Sequence, residues 1–474
     1  MGKYAILVVL TLSVALGYMG LYNNSATNDA IHETENQGQR KILQHLATGH
    51  ANATLQKLRK LNQSTVFDPD NFNYTKSIPE HNATVTVQVD DVDSDDKLII
   101  GEYKINVEVK DDEFTAKAVV FDRQLPFSYY ALFLDNFPKN AYYGTGERVN
   151  GPFHSNSSVN VGGRPGPVFD GNVTATGVKY FAGASASNFK GFKGDNNNFS
   201  HPKIPLGKTL QIKPEDQAGA FKLDNAFTSN TDLYVNLTQN LAGEQIVEVF
   251  DVPYSDPKLK PGGHATNAEY EKYIADHKTV IKAEDLSNKI LYSANKNIHV
   301  KGELDGKLNI TTEKSIYLDD DVVYKDDPRK VPESDDMLGL MCNGDVIVST
   351  RKDPYTGEYM NTRKDPDSEY DGLVVMANIY TTKSIKIENF RGGYVQEQDS
   401  LGNWHHKGVP QDRGDWTVVG GRVQANLGIT MTSHGGYKSG FAEVIEYDTR
   451  FRNDAPPGVP YTNERRINRW SESF

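Results

Sequence analysis

Residues 297–348 read NIHVKGELDGKLNITTEKSIYLDDDVVYKDDPRKVPESDDMLGLMCNGDVIV, and this stretch decides the fold. Within it NIHV (Asn297 to Val300), KLNI (Lys307 to Ile310), SIYL (Ser315 to Leu318), DVVY (Asp321 to Tyr324) and DVIV (Asp345 to Val348) each set two apolar side chains two residues apart. A period of two is that of a strand with one buried face. Gly302, Asp305-Gly306 and Asn343-Gly344 fall between the runs as turn residues. Strands this short exclude water only when coil stacks on coil, so the pattern predicts a β-helix, or solenoid. Ser384 to Ile387 and Trp416 to Gly421 extend it, and a β-sandwich of irregular strands is the alternative.

Working outward, the same short apolar pairs begin at Tyr142, which sets a body over residues 141–460. Periodicity lapses near residues 180–285. There Thr231 to Leu237 and Gln245 to Phe250 read as strands and Ala268 to His277 as a helix, an expected insertion on the stack. Residues 461–474 form a tail whose basic run, Asn463 to Arg469, predicts a solvated end. Before the body, over residues 63–140, Thr84 to Val89 and Tyr103 to Val109 alternate strictly, and Thr115 to Phe121 and Tyr129 to Leu134 read as further strands. These predict an antiparallel sheet that a helix covers on one face.

That helix occupies residues 1–62. Tyr4 to Tyr22 is an uncharged apolar run behind Lys3, long enough at about 1.5 Å per residue to cross a bilayer core of roughly 30 Å. Tyrosines at its ends suit the interface, and Lys3 holds the N-terminus on the cytoplasmic side. Ile31, Ile42, Leu43, Leu46, Ala53, Leu58 and Leu61 continue at helical spacing with no proline before Pro69. Two readings stand: a retained membrane anchor, or a secretory signal cleaved after Ala15-Leu16-Gly17, so that the mature chain starts at Tyr18.

The net charge of −12, with no basic stripe interleaved with aromatics, argues against nucleic acid as a partner. The single cysteine, Cys342, forms no intrachain disulfide and reads as a small buried hydrophobe. Sequons at Asn52 and Asn172 follow from a composition rich in Asn and Thr.

Four motifs carry a family resemblance: Asn150-Gly151-Pro152-Phe153-His154-Ser155-Asn156, Gly166-Pro167-Val168-Phe169-Asp170-Gly171, the segment from Asp321-Val322-Val323-Tyr324 to Asp335-Asp336-Met337-Leu338-Gly339-Leu340, and Tyr447-Asp448-Thr449-Arg450 before Pro456-Pro457-Gly458-Val459-Pro460. With them the chain resembles an uncharacterised family of bacterial envelope proteins with a type IV pilin-like N-terminus and a body whose repeats look like those of polymer-forming bactofilins. The resemblance implies a mainly β, non-enzymatic protein that meets other envelope or pilin-like proteins. Gly2 then stands where a prepilin is cleaved, and Leu7 where major pilins carry a glutamate.

Candidate chemical sites are few. Asp91, Asp93, Asp95 and Glu102 match positions one, three, five and twelve of a calcium loop, with Asp96 where an EF-hand needs glycine. Asp319, Asp320 and Asp321, with Asp326 and Asp327, form a second acidic cluster, and calcium would relieve their repulsion. Asp319, Asp321, Lys325 and Arg329 could serve a polysaccharide lyase or glycosidase, which needs carboxylates and a base facing one cleft. His405, His406 and His434 read as an exposed loop rather than a metal site. No catalytic residue and no cofactor is assigned. The expectation is a cell-envelope structural protein, anchored by Tyr4 to Tyr22 or secreted if cleaved, with a carbohydrate-binding or polysaccharide-degrading β-helix as the alternative.

Overall fold

Helix α1 (Gly2–Leu58) opens the chain, as its unbroken proline-free sequence predicts. The structure is a computed structural model and describes residues 2–59, 71–91, 102–139, 141–210, 214–229, 231–252, 266–350, 361, 372–388, 394–398, 404–408, 412–434 and 437–474. The rest of the chain is mainly β, in antiparallel and mixed sheets. It divides into two compact units, residues 1–124 with 463–474, and residues 125–462.

In the first unit, α1 buries Leu43, Ala47, Ala51, Leu55 and Leu58, one stripe at three- and four-residue spacing. The alanines let the helix approach the sheet closely. That sheet orders β1 (Tyr74–Ile78), β2 (Ala83–Asp91), β3 (Glu102–Lys110) and β4 (Thr115–Pro126), followed by the C-terminal strand Tyr461–Ser473. Antiparallel register sets Val87 opposite Val107 and Val107 opposite Ala118, so one face is apolar throughout. Two expectations change here. The tail is solvated on most of its side chains but is not loose: it is a 13-residue strand paired with β4, and its Trp470 packs on the same core. Tyr129 to Leu134 is not a strand of this sheet; Phe127–Tyr129 is a 3-10 turn, and the strand after it belongs to the second unit.

The second unit begins with that strand, β5 (Leu132–Asn136), then β6 (Arg148–Asn150), β7 (Phe153–Gly162), β8 (Val168–Phe169) and β9 (Val173–Phe181). The chain resumes at β10 (Phe221–Lys222), β11 (Leu233–Gln239), β12 (Gln245–Asp251), β13 (Thr279–Lys282), β14 (Ile290–Ser293) and β15 (Ile298–Leu304). It continues through β16 (Lys307–Thr312), β17 (Ile316–Tyr324), β18 (Met337–Cys342), β19 (Val346–Val348) and β20 (Gly372–Ile387). A hairpin of β21 (Tyr394–Gln398) and β22 (Trp404–Gly408) precedes β23 (Asp412–Leu427), β24 (Met431–His434) and β25 (Tyr437–Tyr447).

Pairing skips a strand: β14 pairs in parallel with β16, β15 with β17, and β16 with β18. The register aligns side chains into columns. One runs Phe221, Leu291, Ile310, Leu340, Ile379, Arg422, Leu132, Phe153, Val173. A second runs Leu233, Ile298, Ile316, Val346, Ile385, Leu427. A third runs Leu237, Gly302, Val322, Val375, Val418, Ile445, Val149, Phe169, Phe192. In the third, Gly302 has φ +108°, and a Cβ there would meet the Leu237 carbonyl oxygen at 2.1 Å. Only glycine fits.

Residues 132–181 come first in sequence but lie beyond residues 422–447 in the columns. The chain thus winds outward from the middle, crosses back, and winds inward again from β10. Leu210 on the crossing donates its N–H to Asn343, and Ile204 donates to Asn156 Oδ1 at 2.7 Å. Residues 221–239, assigned from sequence to an insertion, supply the first rungs of the inward run, with Leu233, Val235 and Leu237 in its core.

Candidate functional site

The first feature with functional meaning is a change along α1. Val9, Leu10, Leu12, Val14, Leu16, Tyr18, Met19, Leu21 and Tyr22 are all at least 59% exposed. At about 100° per residue these positions go right round the helix, so no face is left polar. Ser13 and Thr27 donate their hydroxyls to the carbonyls of Val9 and Asn23, at 2.8 and 2.7 Å, so both hydroxyls are bonded back onto the helix. Between Lys3 and Asp29 the sequence has no Asp, Glu, Lys or Arg. Among the described residues no helix is long and apolar enough to cross a membrane. Nothing is described of the side chains before Val9, where the apolar run starts.

Further along, the helix is held by side chains as well as by its apolar stripe. Gln44 Nε2 and Thr48 Oγ1 donate to the two carboxylate oxygens of Glu472, at 2.7 and 3.0 Å. Trp470 Nε1 donates to the same carboxylate at 2.8 Å. Asp122, fully buried, takes Arg465 at 2.5 Å and Arg59 at 3.4 Å.

Among the described residues, the sequence-predicted sites do not come together. Asp91 ends β2 opposite Tyr103, while Asp93 and Asp95 lie outside the described residues. Glu102 starts β3 and accepts Asn468 Nδ2 at 2.9 Å. Asp319 and Asp321 sit on β17 where two extra residues bulge between Leu318 and Val322, and they face different partners. Asp319 is buried against His299 and Ser349; Asp321 accepts the Val374 N–H at 2.7 Å. Lys325 pairs with Asp305 at 2.6 Å, and Arg329 bridges Asp327 and Glu446 at 2.7 Å each. The four residues considered for a lyase are therefore each committed elsewhere. Among the described residues no three His, Cys, Asp or Glu side chains are grouped to hold a metal. His405 and His406 are on β22 and His434 on β24, strands rather than the expected loop; nothing is described of their side chains.

Two buried polar groups were not foreseen. His299 lies between the rings of Tyr234 and Tyr317, each 4.5 Å away, with Nδ1 2.8 Å from Asp319 and Nε2 3.7 Å from Asp232. Burial alone would pull its pKa down, but the two carboxylates outweigh that and raise it. Ser349 donates to Asp319 and not to the imidazole, so the trio holds no activated hydroxyl. The second group is Arg422, wholly buried in the column at the joint between the two runs. Its Nη1 is 2.7 Å from Glu443 Oε2, and its Cζ stands 4.7 Å from the centre of the Trp416 ring. Cys342 is buried, which pushes its thiol up to about 12 and leaves it unreactive. Nothing local in the sequence says that the bulge on β17 brings Asp319 to His299, whose partner in register is Tyr317.

No family model and no curated protein matches the chain. Among solved structures it is similar to the competence-associated pilin ComZ from Thermus thermophilus, with 9% identity and a TM-score of 0.36 over 92% of this chain and 97% of that one. That likeness is too slight to carry a fold or a role across.

Proposed function

We propose that the protein is a non-enzymatic structural component of the cell envelope, held by the first part of α1 in a membrane and presenting the second unit as a β-solenoid. The burial change along α1 carries the reading. Nine large apolar side chains around a bare helix cost free energy in water, at roughly 25 cal/mol for each Å² exposed. A bilayer removes that cost and accepts only backbone bonded within the helix. The second part of α1, buried on its sheet, keeps the anchor fixed to a folded unit. The strand-skipping parallel ladders support the solenoid, since each coil there closes its core only on the coils beside it. Pilin-like partners are part of this proposal through the resemblance of the N-terminus.

The test is fractionation of cells that express the chain with a C-terminal epitope. The protein is expected in the membrane pellet and to stay there through an alkaline carbonate wash. Leu12→Arg with Leu16→Arg, each costing about 2.5–3.5 kcal/mol near the middle of a span, should release it. Wild-type protein found wholly in the soluble fraction refutes the anchor.

A further inference from the structure

We infer that the two ends of the column stack in the second unit bind each other between copies, head to tail, through opposite charge. At one end, residues 141–203 hold Arg148, Arg164, Lys179, Lys190, Lys193 and Lys203 against Glu147, Asp170 and Asp195, six minus three or +3. Lys179 lies on the last long strand, β9, while Lys190 and Lys193 flank Phe192, which closes the third column; all three are exposed. At the other end, the described residues between 214 and 288 hold 12 Asp and Glu against four Lys, or −8. Glu271 is exposed on the helix Asn267–His277, and Glu284 and Asp285 are exposed just after β13. Charge on a chain of net −12 is thus segregated, with the positive residues concentrated where the stack ends.

The stack already contains one such union. Arg422 pairs with Leu132 and Ile445 with Val149, although neither pair is joined by a turn of the chain. Coils that are not consecutive therefore dock end-on here. A second copy is the occupant that offers the complementary charge, and since the two surfaces differ, the contact is heterologous and can repeat. The inference uses only the second unit and does not depend on membrane anchoring.

Full-length protein in detergent, followed by sedimentation velocity, tests it. Wild type is expected to form dimers and larger species at about 10 mM salt, where charges act over roughly 30 Å, and to dissociate near 1 M, where they act over roughly 3 Å. Lys179→Glu with Lys190→Glu and Lys193→Glu should leave monomers at low salt. So should Glu271→Lys with Glu284→Lys and Asp285→Lys. An equimolar mixture of the two triple variants should associate again, because each then offers the end that the other lacks. Association unaffected by salt or by either reversal overturns the inference, and so does a mixture that stays monomeric.

Discussion

The antiparallel sheet of the first unit and the parallel ladders of the second solve the same problem in opposite ways. In the sheet, β2 and β3 meet across a short stretch of chain and show one apolar face, so their strands alternate cleanly. In the ladders, paired strands are separated in sequence by an intervening strand, and β18 (MLGLMC) and much of β20 are buried on both faces. Strands buried in this way have no solvent side on which to place charge safely. Polar residues inside them must find partners on other strands, and Arg422 and His299 show what that entails. A sheet with one wet face can err and recover; a stack closed on both faces is only as sound as its buried pairs.

The largest effect should come from breaking the Arg422 pair. Arg422→Met leaves the buried Glu443 carboxyl without its partner, and loss of one partner of such a pair costs about 3–5 kcal/mol. Trp416, against the guanidinium, reports unfolding of the second unit, and Trp470 reports the first. Urea melts of variants that retain only Trp416 or only Trp470 should show the first transition shifted and the second unmoved. Adding Glu443→Leu should restore most of the loss. Equal shifts in both transitions would erase the contrast between the units.

His299 gives a smaller effect with a definite sign. Its folded pKa is raised above 6.5, so its contribution is fully present below that value and is lost as pH rises through the raised one. Thermal melts of wild type and His299→Gln should therefore differ most at acid pH and converge toward alkaline pH. Among the described residues the groups facing the imidazole are Asp319, Asp232, Tyr234 and Tyr317. A difference that widens with rising pH would mean that the histidine is held neutral.

Much of the architecture was legible because it is written in local periods. The runs from Ile298 to Val348, the alternation of β2 and β3 and the length of α1 all depend on neighbours within a few residues. What was not legible is long-range register. Nothing local places Leu132 beside Arg422, 290 positions on, or tells β5 that its partners lie in β7 and β23. The partners of the acidic cluster were not legible for the same reason. Asp319 and Asp321 are near in sequence, yet the bulge at that point sends one to His299 and the other to the Val374 amide. Charge density suggested calcium, while packing gave each carboxylate a separate partner.

The C-terminal strand, expected as a free tail, supplies the smallest effect and the sharpest check on the sheet. Its Glu472 joins α1 through Gln44 and Thr48, and the carboxylate pKa is lowered, most by the Trp470 hydrogen bond, which with help from Thr48 and Gln44 outweighs the opposing effect of burial. A lowered carboxylate stabilises above its unfolded range and loses that contribution as pH falls through the folded value. Because the group is exposed, water screens it, and a double-mutant cycle of Gln44→Ala and Glu472→Ala should return roughly 0.5–1 kcal/mol at pH 7. Read by Trp470 fluorescence at pH 3, the same cycle should return close to zero. A coupling that persists at pH 3 would place the strand's hold on its backbone pairing with β4 and on the Trp470 ring, and would leave the carboxylate no part in fixing the helix.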